Sequence, residues 1–238
     1  MTKNLNKKLN LSFLNYTNQG FYYGKLDIPE ATCKLDICPI DYIAQYGEKL
    51  DSKYKFPALC FYQYDNEFDG MNGLYNAIYY DDKKSLIKYK EKLKYFHYII
   101  SPDYSICGDA PLIENLHRIF KSRLVGSYLV NELNKIVIPN ISFFDENTKK
   151  VTLSGISKNS TVAISTKGLL NGKRKQELMD YIVNETIKEI HPEIVILYNV
   201  SVKCPKYNEI VHKFQNNGIK VIVPPNKLLI RNQILEAL

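Results

Sequence analysis

The chain has 238 residues, 45% of them hydrophobic, and 32 Lys and Arg against 25 Asp and Glu, a formal net charge of +7. This is enough apolar material for a real core and enough length for one large α/β domain. No run approaches the ~18 apolar residues that cross a bilayer, and the start, MTKNLNKKLNLSFLNY, lacks an apolar stretch of signal-peptide length, so a cytoplasmic protein with no membrane partner is expected.

Residues 1–27 are polar and read as an irregular N-terminal arm. Residues 28–238 read as a single α/β domain. A first strand is expected near Ile37–Ile43. Short β-branched or aromatic runs bounded by Pro, Gly, Asn or Asp then mark strands at Ala58–Tyr62, His97–Ser101, Ile136–Pro139, Val162–Ser165, Ile194–Tyr198 and Val221–Val223. Helical patterns occupy roughly 83–95, 110–131, 173–190 and 205–216, the last stopped by Asn217-Gly218. Phe143–Lys158 reads as loop or hairpin. Strands alternating with helices predict a mostly parallel sheet flanked by helices. An open three-layer sheet is preferred, with a partly closed βα barrel as the alternative.

Both arrangements place a site at the carboxyl ends of the strands. There the sequence sets Ser101-Pro102-Asp103, Asn140, Ser142, Ser165-Thr166-Lys167-Gly168 and Tyr198-Asn199. Each alone is ordinary turn chemistry; together they nominate a centre. Asp103 is the candidate catalytic group, because it ends an apolar strand behind a proline that fixes the local path. Asp109 reads as a helix cap before Ala110-Pro111. Ser165, Thr166 and Lys167 could hold a phosphate through hydroxyls, ammonium and loop amides, although the glycine spacing is not that of a Walker loop.

One arginine stands out. The stripe Leu112, Leu116, Ile119, Phe120 and Leu124 defines the apolar face of the 110–131 helix, and at ~100° per residue Arg123 falls near its middle. A guanidinium aimed at a core requires a carboxylate, a phosphate or several carbonyls. Five scattered cysteines, Cys33, Cys38, Cys60, Cys107 and Cys204, read as structural thiols, and no cluster has metal-ligand spacing, so no metal is assigned and no cofactor is named.

FYQYDNEFDGMN (61–72), ISPDYSICGDAPLIENLHRIFKSRLVGSYL (100–129), VIPNISFFDE (137–146) and GISKNSTVAISTKG (155–168) resemble an uncharacterised family, DUF 4417, over roughly residues 28 to 224. The resemblance maps an acidic aromatic loop to Asp65 and Phe68, an SPD turn to Ser101-Pro102-Asp103, a helix motif to Asn115, Arg118 and Arg123, and a serine-threonine strand end to Ser165-Thr166. Phe143-Phe144 depart from the pattern, where a tryptophan and a polar residue are common. The resemblance implies a bacterial, phage or mobile-element setting and carries no activity.

Charge, the inward arginine and the strand-end cluster lead to the expectation of a phosphate-recognising protein acting on or binding nucleic acid or nucleotides. Ser101, Asn115, Arg118, Arg123, Ser165, Thr166 and Lys167 would be its ligand-binding residues. The alternatives are a modulator that binds a host or defence protein without catalysis, and a hydrolase on another small substrate. The sequence leaves the oligomeric state open.

Overall fold

Short apolar strands fed by helices dictate the architecture. The computed structural model describes residues 3–17 and 22–237. The chain opens with α1 (Lys3–Lys8) and a 3₁₀ turn at Ser12–Asn15. A small antiparallel pair, β1 (Tyr22–Tyr23) and β2 (Ile28–Pro29), follows. Next come β3 (Tyr42–Gln45), β4 (Pro57–Cys60), α2 (Asp65–Phe68), α3 (Leu74–Tyr79), α4 (Lys83–Leu93), β5 (Tyr98–Ile100), α5 (Leu112–Asn131) and β6 (Ile136–Ile138). The rest is α6 (Glu146–Leu153), β7 (Thr161–Ser165), α7 (Lys173–Glu189), β8 (Ile194–Tyr198), α8 (Pro205–Asn216), β9 (Lys220–Ile222) and α9 (Lys227–Ala237).

The strands form two parallel sheets, β3-β4-β5-β6 and β7-β8-β9, in sequence order. A single parallel bridge, Asn140 to Ala163, joins them. Helices α3, α4 and α5 cover the outer face of the first sheet through Leu74, Ile78, Leu93, Leu124 and Leu129. Helices α7 and α8 cover the second through Met179, Ile182, Val183, Ile210 and Phe214. The inner faces of both sheets share one interior, built from Ile43, Ala58, Cys60, Ile100, Ile138, Ala163, Ile194 and Ile196. The α/β class with mostly parallel strands and flanking helices therefore holds. Of the two arrangements expected, the packing follows the curled, partly closed one. The ladder does not close: β9 and β3 approach through the Ile43 amide donating to the Pro225 carbonyl at 2.9 Å.

Most elements lie where the periodicity places them. The first of these strands begins later than Ile37–Ile43. Pro39 cannot donate to a ladder, Ile37 is solvent-exposed, and pairing starts at Tyr42. Gly218 ends α8 with φ +74, a conformation that suits glycine. The segment Phe143–Lys158, expected as loop or hairpin, instead contains α6. Its signal is local: Asp145 accepts from the Thr148 amide at 2.8 Å, and Thr148 Oγ1 accepts from the Asp145 amide at 3.1 Å. This reciprocal cap forms the helix despite its weak apolar pattern. The N-terminal residues carry α1 and the 3₁₀ turn, and Tyr16 is buried edge-on against Tyr128.

Asp145→Ala removes this cap. It is expected to destabilise the fold by ~1 kcal/mol, read as a lower urea midpoint with an unchanged slope; an unchanged midpoint would mean that α6 is held by packing alone.

Candidate functional site

The loop after β5 carries Asp103, and α5 holds that loop. Asn115, fully buried, accepts from the Cys107 amide at 3.0 Å and donates to the Cys107 carbonyl at 2.8 Å. Arg118 donates to the Ser105 carbonyl at 2.7 Å, to Asp65 at 3.0 Å and to Glu114 at 2.8 Å. Ser122 donates to the Pro102 carbonyl at 2.6 Å. Asp65 completes the clamp by accepting from the Ser105 amide and hydroxyl. Spacings of three and four residues put Asn115, Arg118 and Ser122 on one helix face. They meet residues 107, 105 and 102 in antiparallel order.

So held, Asp103 faces the ends of the neighbouring strands. Asn140 Nδ2 donates to Asp103 Oδ1 at 2.7 Å, and the Tyr62 hydroxyl donates to Asn140 Oδ1 at 2.8 Å. The Asn140 amide donates to Ser101 Oγ at 2.9 Å. Lys167 Nζ and Gln45 Nε2 each donate to the Tyr62 carbonyl at 2.8 Å. The last residue of β3 and residues following β4, β5, β6 and β7 thus converge on one rim. Thr166 lies deeper and donates to the Tyr198 carbonyl and to Asn199, while Ser165 Oγ accepts from the Lys167 amide. The Tyr198 ring packs 4.7 Å from that of Tyr62, and its buried hydroxyl has no partner among the described residues.

Burial pushes the Asp103 carboxyl up to about 6, a rise reinforced by Asp65 and opposed by Asn140, Ser142 and Lys167. Burial also raises Tyr62 well above an ordinary phenol, which keeps it a neutral donor. The Tyr62–Asn140–Asp103 chain therefore ends on a carboxyl that can gain or lose a proton near neutrality, the property required of a general acid or base. Among the described residues, no group of three or more His, Cys, Asp or Glu is arranged to hold a metal ion. No described helix is long and apolar enough to cross a membrane.

The expected residues fall into three places. Ser101, Asp103 and Lys167 meet at the rim, with Ser165 and Thr166 just behind it. Asn115 and Arg118 hold the loop, and their polar groups are engaged by protein atoms. Arg123 is buried as its helical position requires, but it contacts neither Asp103 nor Asp109. Its Nη2 donates to the carbonyls of Thr152 at 2.6 Å and Ser154 at 2.8 Å, and Nη1 reaches the Pro29 carbonyl at 3.4 Å. It thereby fastens the end of α6 to β2. Asp109 makes no cap: the residue preceding α5 is Pro111, without a side-chain bond. Tyr62 and Gln45 were not among the nominated residues, and Asn140 was noted at a strand end without a role. Alternation along β4 turns Ala58, Cys60 and Tyr62 inward, and that is the signal that could have found Tyr62.

A sequence model of a domain of unknown function, DUF4417, matches residues 22–217. The chain belongs to the DUF4417 family. Within DUF4417, the matched span contains the whole rim and the α5 clamp. The chain is 30% identical over 114 residues to the Gene 1 protein of Mycobacterium phage L5, covering 48% of this chain and 49% of that protein. It is 26% identical over 109 residues to the Gene 1 protein of Mycobacterium phage D29, covering 46% and 40%. The matches thus span about half the length of these relatives or less. No solved structure matches.

Because the native carboxyl binds its proton more tightly than the unfolded one, raising the pH from about 4 to about 6 costs stability, and above pH 6 the cost is complete. Asp103→Asn keeps an acceptor for Asn140 and removes that charge. It is expected to stabilise the protein by on the order of 2–3 kcal/mol at pH 7.5 and to have little effect at pH 4. Chemical denaturation at the two pH values reads this; a variant weaker at pH 7.5 would show the carboxylate to be a structural partner.

Proposed function

We propose that this DUF4417 protein recognises the phosphates of nucleic acid or nucleotides at the rim formed by β5, β6 and β7, in a phage or mobile-element setting. The reading rests on the β7–α7 connection. Lys167, Lys173, Arg174 and Lys175 are all exposed there, and among the described residues no carboxylate pairs with them. Helix α7 starts at Gly172 without a side-chain cap, and its first turn is basic where the helix dipole favours negative charge. Cations placed against the dipole oppose folding, so an external anion is the natural counter-charge. Arg118 has a different part, because Glu114, Asp65 and the Ser105 carbonyl already engage it, and Arg123 is turned to the carbonyls of Pro29, Thr152 and Ser154 rather than to the rim. Lys167 is the cation whose charge acts on the Asp103 carboxyl.

Asp103 would then orient water or exchange a proton beside a bound phosphate. The two phage relatives agree with the proposed setting. The test is a salt series with single-stranded DNA, duplex DNA, RNA and nucleotides. Saturable binding that weakens steeply with salt is expected. The combined variant Lys173→Glu, Arg174→Glu, Lys175→Glu should reduce the slope of log K against log salt by about 2–3 if each cation meets one phosphate of duplex DNA. Absence of saturable binding at low salt would remove the reading and turn attention to a protein partner.

A further inference from the structure

A second feature lies away from the β7–α7 connection and does not depend on it. Between α5 and the segment Pro29–Thr32 is a cavity of about 280 Å³. That is far more than the ~10–15 Å³ that holds one water. One wall carries Arg123, which is only 5% exposed. Its three hydrogen bonds are all to carbonyls. Its Nε has no partner among the described residues, and no carboxylate forms an ion pair with it. The carbonyls at the end of α6 supply partial negative charge, but a full counter-charge is missing from a buried site, where a cation is costly.

Gly126 is the second, independent observation. It sits inside the twenty-residue helix α5 and lines the same cavity. Only proline is less favourable than glycine in a helix interior. Packing does not demand it: a Cβ there would meet only Val137 Cγ1, at an ordinary 3.7 Å. Its φ lies outside the left-handed region that glycine alone adopts freely. What a side chain would cost is space in the cavity.

The lining also selects. Ser101 and Ser127 offer hydroxyls, Glu30 is its carboxylate, and Ala31, Val130 and Val137 are apolar. We propose that this cavity binds a small zwitterion of the free amino acid class, its carboxylate on Arg123 and its ammonium toward Glu30. The charges complement each other in one molecule, whereas a dianion such as phosphate would meet Glu30 unfavourably. Ser101 lines the cavity and also holds the Asn140 amide next to Asp103. Occupancy would therefore touch the rim without using its cations.

Calorimetry or ligand-detected NMR on the full chain, with glycine, serine, aspartate and glutamine as probes and acetate and inorganic phosphate as controls, tests this. At least one amino acid should bind saturably and more tightly than either control. Gly126→Leu should fill the cavity and weaken that binding at least ~10-fold. Should Gly126→Leu fold poorly, Val130→Trp blocks the exposed rim of the cavity, with the same loss expected. Arg123→Lys, which replaces the fork by a point charge, should weaken it too. Saturable binding by none of the amino acids, equal or tighter binding of phosphate, or binding unchanged in a folded Gly126→Leu or Val130→Trp protein would overturn the proposal. None of these outcomes bears on the salt series with nucleic acid, so the two readings fail separately.

Discussion

The hydrogen bonds from one face of α5 to the loop after β5 are the constraint on which the site depends. A loop of eleven residues after a three-residue strand would ordinarily be mobile, because little of its backbone is paired. Here Asn115, Arg118 and Ser122 each satisfy a backbone group of that loop, and Asp65 reaches in from α2. The anchors are side chains of a long helix whose other face is packed in the core through Leu124, Val125 and Leu129. Asp103 therefore inherits the rigidity of the core although it sits on a loop. This is the arrangement that lets a carboxyl stay in an environment unfavourable to its charge.

Curling of the strands supplies the rest. A flat sheet would keep the end of β4 away from the end of β7. The shared interior instead brings Lys167 within hydrogen-bond distance of the Tyr62 carbonyl, across residues far apart in sequence. The sheet interior is nearly all aliphatic, and a cluster of polar groups gathers at its carboxyl end. There Tyr62 and Asn140 form a short directed chain. Its polarity is fixed: the carboxylate must accept, so Asn140 presents its amide nitrogen to Asp103 and its oxygen to the Tyr62 hydroxyl. Rotating Asn140 would set its oxygen against the Asp103 carboxylate, which can only accept.

The parts legible in the sequence are those governed by short-range periodicity. The strands from β4 to β9, the long helices and the inward direction of Arg123 follow from alternation at two and 3.6 residues. Curvature was not legible, because the same βα order serves an open sheet and a curled one. Helix α6 escaped because its formation depends on the Asp145–Thr148 cap rather than on an apolar stripe. The partners of Arg123 were invisible for a deeper reason. Carbonyls carry no side-chain signature, so a sequence can show that a buried cation needs acceptors without showing that backbone supplies them. Asn115 and Arg118 were found by type and position, but their targets are backbone groups and a carboxylate of the same chain.

Arg123 unites these points. A guanidinium can be buried against carbonyls alone, yet burial with no full counter-ion brings its affinity for a proton down to about 10. It remains charged at neutral pH. A structural clamp between α6 and β2 could be made by a neutral amide, as Asn115 does for the loop, without burying a charge. If the cavity holds the proposed zwitterion, a permanent cation beside it and a glycine that packing does not require would place the space and field at that wall above the local stability of α5. Stability sacrificed in that pattern is the usual mark of a position where the fold serves something other than itself.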